Sequence, residues 1–396
     1  MNQQYYRSEI LTYYGAAAAE VEELLAYNRN VFDVPKLESL PQFPLHDEPH
    51  LAVWRKYQEN GSLDSLKRAL VQLQFPIQTG IAVKEFYRAA TLRGKPTYDM
   101  SQATGLQLQQ PEKLQITIHS SLAGAIPVLF TENRDDFVAL VRALARRNEP
   151  ELISDSMGAC MVANYNNWGR INDYRQKWSS KHEHQPSELD WQKEFRRLIS
   201  QKHLYQDRFI ILSDSFYSNV EPRTLNLSEL AWRQISRTIR LKHECTHYFT
   251  RRVLGSMQNN LLDEIIADYQ GIVGAIGCYR ADWFLHFMGL ESFPNYRSGG
   301  RFENYFETAK FSAKAVKILQ HLVKAAAENL EKFDRNYGKN YRTIRGRVLI
   351  LLTLCSFTLE ELAAKKASEK IWQRLQHIDV QSYVRTDLSC LRVSSK

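Results

Sequence analysis

His243-Glu244-Cys245-Thr246-His247 places two histidines four residues apart, with a glutamate directly after the first. On a helix, residues at that spacing lie one above the other, so both imidazoles can converge on one metal ion. The glutamate then sits where it can take a proton from a water at that ion. The flanking sequence supports a helix. Leu230, Ile235, Ile239, Phe249 and Val253 recur at roughly helical intervals around the pentapeptide. The expected helix begins near Asn226 or Ser228 and runs through Arg240 to Arg252.

Gly255 is the expected stop, because glycine enters the left-handed conformation at little cost. Ser256-Met257-Gln258-Asn259-Asn260 reads as a polar turn, with Asn260 as the N-cap of a second helix. Asp263 falls in its first turn, where a negative charge is favoured. Glu264 follows, and Asp268 lies four residues on, on the same face. Folded back beside the first helix, this second one would bring a carboxylate to the histidine pair.

HECTH at 243–247 together with DEIIAD at 263–268 resembles the gluzincin metallopeptidases, the thermolysin-like group with an HExxH helix and a later glutamate ligand. The resemblance implies one zinc ion per chain held by His243, His247 and Glu264, with Glu244 as general base. Asp268 would accept a hydrogen bond from His243, fixing the ring and raising its basicity. Two histidines and a carboxylate also suit zinc on chemical grounds. The implied fold is α+β and predominantly helical. It has a zincin-like catalytic core with a small β-sheet, an active-site helix and a glutamate helix, followed by a helical C-terminal region. The implied activity is hydrolysis of an amide bond in a peptide or small peptide-like substrate. Two other readings use the same residues. One is a metal-dependent tailoring enzyme acting on a small anionic or peptide-like metabolite, and the other a non-catalytic interaction protein with a structural metal.

Composition narrows the class. With 396 residues, 44% of them hydrophobic, and 18 Phe, 20 Tyr and 7 Trp, the chain can bury a substantial core. No apolar run approaches the roughly 20 residues a membrane helix needs. The N-terminus leads into an acidic amphipathic helix instead of an apolar signal core. Cys160, Cys245, Cys278, Cys355 and Cys390 are scattered, without a CxxC pair. That usage suits a reducing cytoplasm, and Cys245 is expected to pack rather than ligate. The net charge of +8 is spread along the chain with acids interspersed, so nucleic acid is not an expected partner. Arg237, Arg240, Lys242, Arg251 and Arg252 on the histidine helix would favour an anionic substrate.

Three regions are expected: 1–110, mostly helical; 111–300, the metal-binding catalytic region; and 301–396, helical. Helices are expected over 8–28, 51–73, 135–147, 309–333 and 348–366, with an irregular segment at Pro35, Pro41, Pro44 and Pro49. Strands are expected over Leu114–His119, Ile126–Phe130 and Phe209–Leu212, with a turn across Ser120–Ala125. Tyr165-Asn166-Asn167-Trp168-Gly169 lines a cleft or forms a turn after a small-residue helix.

Other histidines are weaker ligand candidates. His46 and His50 share the four-residue spacing, but Pro44 and Pro49 argue against one helix through both. His182-Glu183-His184 reads as a solvated loop. In Tyr296-Arg297-Ser298-Gly299-Gly300-Arg301-Phe302-Glu303-Asn304-Tyr305, a Gly-Gly turn could bring Arg297 or Arg301 to a substrate carboxylate. Tyr305, or alternatively His286, could stabilise an oxyanion. The plainer alternative is a loop whose arginines cap a helix end or pair with acids.

Overall fold

In a computed structural model, the described residues are 3–32, 41–60, 63–94, 105–257, 260–306 and 311–379. Pro35, residues 258–259 of the expected turn, the first residues of the helix expected from 309, Cys390 and the tail from 393 lie outside them. The fold is α+β and mostly helical, with one four-stranded sheet among the described residues. No described helix is long and apolar enough to cross a membrane.

The chain divides into two compact units, Met1–Leu45 with Phe216–Lys396, and His46–Ser215. This division differs from expected boundaries near 110 and 300. The chain leaves the first unit at residue 45 and re-enters it at 216, so segments remote in sequence share one body.

In the second unit, β1 (Gln115–Ser121) and β2 (Gly124–Thr131) form an antiparallel hairpin. Both strands extend into the turn expected at 120–125, so that Leu122 and Ala123 alone separate them. β4 (Gln206–Ser213) runs parallel to β2, with Val128 opposite Ile210, and β3 (Ala159–Asn166) pairs antiparallel with β4. The order is β1-β2-β4-β3. The two central strands are almost wholly buried, whereas β1 alternates exposed and half-buried residues, as an edge strand does.

α6 (Arg134–Ala145) packs on this sheet through Phe137, Leu140, Val141 and Leu144, which share a core with Leu129, Phe209, Ile211 and Trp54. Asn133 caps it by accepting from Asp136 N at 3.0 Å. The expected small-residue helix before Tyr165 is instead strand β3. Asn167 then caps α7 (Trp168–Ser179). At its N-terminal end α3 (Leu51–Asn60) follows His50, which is buried, so the His46/His50 pair does not share a helix. Asp207 is buried and fully engaged. It accepts from Trp54 Nε1 (2.8 Å), Asn167 Nδ2 (2.7 Å) and Arg170 Nη1 (2.6 Å), joining α3, α7 and β4.

In the first unit the helix expected over 8–28 is two: α1 (Gln3–Tyr13) and α2 (Ala18–Tyr27), parted at Gly15 with φ +92°. Glu20 accepts from Ala17 N at 2.8 Å and starts the second. α1 packs on α14 (Leu359–Ala363), where Arg7 Nη2 meets the buried Glu360 at 3.1 Å and Asn28 Nδ2 donates to the same carboxylate at 3.1 Å. α12 (Ala313–Asn336), α13 (Ile344–Cys355) and a helix over residues 367–379 make up most of the C-terminal part.

The centre of this unit is the pair α9 (Glu229–Val253) and α10 (Leu261–Ile276). Ser228 caps α9 through a bond from Ala231 N at 3.3 Å, and the helix ends just before Gly255, whose φ is +68°. Asn260 caps α10, its Oδ1 accepting from Asp263 N at 2.9 Å. Gly271 and Gly274 let the two helices meet. A Cβ on Gly271 would stand 2.9 Å from the carbonyl oxygen of Ile239, and one on Gly274 would stand 2.9 Å from Lys242 Cγ.

Candidate metal centre

The close approach of α9 and α10 brings His243, His247 and Glu264 together as a buried cluster that could hold a metal ion. One ligand atom from each lies within 4.8 Å of the others. Both histidine Nε2 atoms stand 3.6 Å from the Glu264 carboxylate, His243 from Oε2 and His247 from Oε1. The Nε2 atoms are themselves 2.9 Å apart. Glu244, on the same helix, is 9% exposed, and among the described residues its carboxylate takes no hydrogen bond or ion pair.

The tautomers follow from the acceptors around the outer ring nitrogens. Nδ1 of His243 is 2.7 Å from Asp268 Oδ1. Burial would raise the Asp268 carboxyl, but Arg301 and His243 outweigh it and hold it below its ordinary value. A carboxylate only accepts, so His243 Nδ1 carries the proton. Nδ1 of His247 is 3.3 Å from Asp263 Oδ2, an ion-pair distance without hydrogen-bond geometry, and it faces a carboxylate in the same way. With both protons on the outer nitrogens, the two Nε2 lone pairs point at each other across 2.9 Å. That arrangement calls for a positive charge between them. A metal ion supplies it, and without one a proton does. Burial alone would lower the His247 pKa, but Asp263 and Glu264 hold it well above the histidine range.

Arg301 braces the opposite side. It begins a short 3-10 turn, Arg301–Tyr305, and is buried at 7% exposure. Nη2 donates to Glu264 Oε2, and Nη1 reaches Asp268 Oδ2 at 3.1 Å and the Tyr217 hydroxyl at 2.9 Å. Burial opposes the charge on Glu264, but Arg301 and the two histidines keep its carboxyl well below the usual range. Arg301 is therefore committed to protein carboxylates. Arg297, exposed, pairs with Glu291 at 2.7 Å and donates to the His286 carbonyl at 2.9 Å. Both arginines thus adopt the plainer arrangement weighed for this loop, pairing with acids. Tyr305 lies where Glu264 and Arg301 act on its hydroxyl. Burial first, then Glu264, push its pKa well up, so it stays a donor. Its carbonyl accepts from Tyr27 OH at 2.6 Å.

Two contributors escape a motif reading. Asp263 was legible only as a first-turn acid, yet it is the carboxylate facing His247. Tyr217 stands well upstream of the motif, at the start of a short 3-10 turn (Tyr217–Asn219) before α9. Its hydroxyl donates to Asp268 and lies 3.0 Å from His243 Nδ1. No local pattern marks it. His182 and His184 are exposed, in keeping with a solvated loop.

A family model described as a family of unknown function, DUF7005, matches residues 9–366. The chain belongs to that family. The matched span of the DUF7005 chain contains His243, His247, Glu264 and the residues that brace them. Neither a curated protein nor a solved structure matches it.

Proposed function

We propose that the protein is a zinc-dependent hydrolase of the gluzincin type, most simply a metallopeptidase that cuts an amide bond. The observation that carries this reading is the pair of Nε2 atoms 2.9 Å apart, their outer nitrogens facing Asp268 and Asp263, with Glu264 completing the set. Three protein ligands leave a position open for chemistry, whereas a structural zinc is usually closed by a fourth. When bound, zinc supplies a Lewis acid that polarises a carbonyl and lowers the pKa of water. His243, His247 and Glu264 would hold it. Glu244, whose carboxylate takes no hydrogen bond or ion pair among the described residues, would take the proton of the attacking water and return it to the leaving nitrogen. Tyr305, kept protonated by burial and Glu264, donates towards the developing oxyanion. Arg301 keeps Glu264 ionised and aimed.

The burial of the cluster favours a second reading on the same machinery. His243, Glu244, His247 and Glu264 are 3–9% exposed. Such enclosure suits a small acyl or peptide-like metabolite better than an extended chain. With Arg301 neutralised by Glu264 and Asp268, a neutral substrate suits this site better than an anionic one.

Metal analysis of purified protein, followed by digestion of a peptide library and of small N-acyl compounds, tests these readings. About one zinc per chain is expected. Glu244→Gln should keep that metal while turnover falls about 100- to 10,000-fold. Full activity in that variant would sink the mechanism. Replacing His243 or His247 by Ala should remove the zinc, and retained stoichiometric metal would disprove the ligand assignment.

A further inference from the structure

Tyr217 has no place in the reaction outlined above, yet its hydroxyl meets three groups of the centre at once. Its hydroxyl donates to Asp268 Oδ1, lies 3.0 Å from His243 Nδ1 and accepts from Arg301 Nη1 at 2.9 Å. One phenol thus meets the partner of one metal ligand, His243, and the clamp on another, Glu264.

The protein fixes this side chain from every direction. The ring packs edge-on to Phe287 with centroids 4.7 Å apart, and the guanidinium carbons of Arg240 and Arg301 lie 5.6 and 5.4 Å from its centroid. The backbone on both sides is tied to α9. Ser236 Oγ accepts from Tyr217 N at 3.0 Å, Arg240 Nη2 donates to the Phe216 carbonyl at 2.6 Å, and Trp232 Nε1 donates to the Val220 carbonyl at 2.7 Å. Between these ties Ser218 and Asn219 both adopt the left-handed region, at φ +51° and +56°. Two adjacent non-glycine residues rarely do so, and such strain persists where surrounding structure enforces it. Ser218 Oγ in turn faces Arg301 Nη1 at 3.3 Å.

We propose that Tyr217 is a positioning residue of the metal centre, and that the strained 217–219 turn aims its phenol so that Asp268 and Arg301, and through them His243 and Glu264, are held in register. This rests on the metal-centre reading above and assigns Tyr217 no contact with substrate.

The test is zinc release to a chromogenic chelator, measured on wild-type protein and on Tyr217→Phe, together with melting temperatures with and without zinc. Tyr217→Phe keeps the packed ring and every ligand. Zinc should still bind one per chain, but its release should quicken and its affinity fall about 10- to 100-fold, as when a ligand's hydrogen-bonding partner is lost. The melting-temperature gain on adding zinc should shrink. A merely structural tyrosine would lower both melting temperatures equally and leave release unchanged, which would overturn the proposal. Ser218→Ala, which keeps the phenol and removes only the hydroxyl facing Arg301, should quicken release two- to threefold, about 0.4–0.7 kcal/mol by the factor-of-ten constant. If Tyr217→Phe yields no folded protein, unchanged release in Ser218→Ala overturns the proposal instead. A wild-type protein that binds no zinc would defeat the metal centre itself, whereas zinc-binding wild type with an indifferent Tyr217→Phe would defeat only the role of Tyr217.

Discussion

The imidazole of His247 shows how a few neighbouring charges decide what the site can hold. Asp263 and Glu264 raise its pKa although burial opposes them, so a proton occupies the gap that a metal ion would otherwise fill. Metal and proton therefore compete for the same lone pairs, and tighter binding at higher pH follows. Cys245, between the two histidines in sequence, behaves differently. Burial pushes its thiol up to about 12, outweighing the lowering by Lys242. In the unfolded chain the thiol ionises from about 9, in the folded protein only near 12. Its contribution to stability is thus whole below about 9 and is lost as pH rises from there towards 12. At pH 8.5 the native thiol therefore stays protonated and unreactive. Iodoacetamide at that pH, followed by peptide mapping, should leave Cys245 unmodified in native protein and alkylate it after denaturation. Prompt native labelling would contradict a packed, inert cysteine.

At the scale of elements, the centre exists because α9 and α10 approach closely enough for ligands on both to meet. Gly271 allows this where a side chain would meet backbone, 2.9 Å from the Ile239 carbonyl oxygen and 3.0 Å from Ile239 Cγ2. Gly274 faces Lys242 Cγ, part of a flexible side chain that can move. Gly271→Ala should therefore cost about 1–3 kcal/mol, the range for overpacking a tight contact. It should also weaken zinc retention, since Glu264 and Asp268 ride on the same helix. Gly274→Ala should be near neutral, because alanine's helix propensity offsets the adjustment of Lys242. Thermal melting of both variants, with and without zinc, checks this. Equal stability of Gly271→Ala and wild type would show that the helices can part without loss. Much at this scale was legible in sequence. Ser228, Gly255 and Asn260 bound the two helices through short-range rules of capping and backbone freedom, and the ligand spacing is itself local. β3 was not legible, because Ala159–Asn166 is rich in small and amide residues and forms a strand only by pairing with β4.

For the whole molecule, the least legible feature is the division into units, because it depends on chain segments that meet across great sequence separations. Nothing local marks Arg7 and Asn28 as partners of Glu360, or Tyr217 as a partner of Arg301. Sequence periodicity gives each helix a buried face but not the identity of what covers it. The His46–Ser215 unit shows a consistent logic of its own. Arg208 pairs with Glu48, Trp54 donates to Asp207 and Ala125 N donates to Asp47, so the first residues of the unit are fastened to its sheet, β4 included. Its core, from Trp54 and Leu66 to Phe209 and Ile211, draws on residues of this unit alone. A segment with its own core and its entering chain tied to its last strand has the makings of an independent folding unit. Excised residues 46–215 should show mixed helical and sheet circular dichroism and melt in one cooperative transition. They should bind no zinc, because His243, His247 and Glu264 all belong to the other unit. A gradual, uncooperative melt would mean that this unit depends on the rest of the chain for its fold, and zinc retained by the excised segment would point to a second metal site.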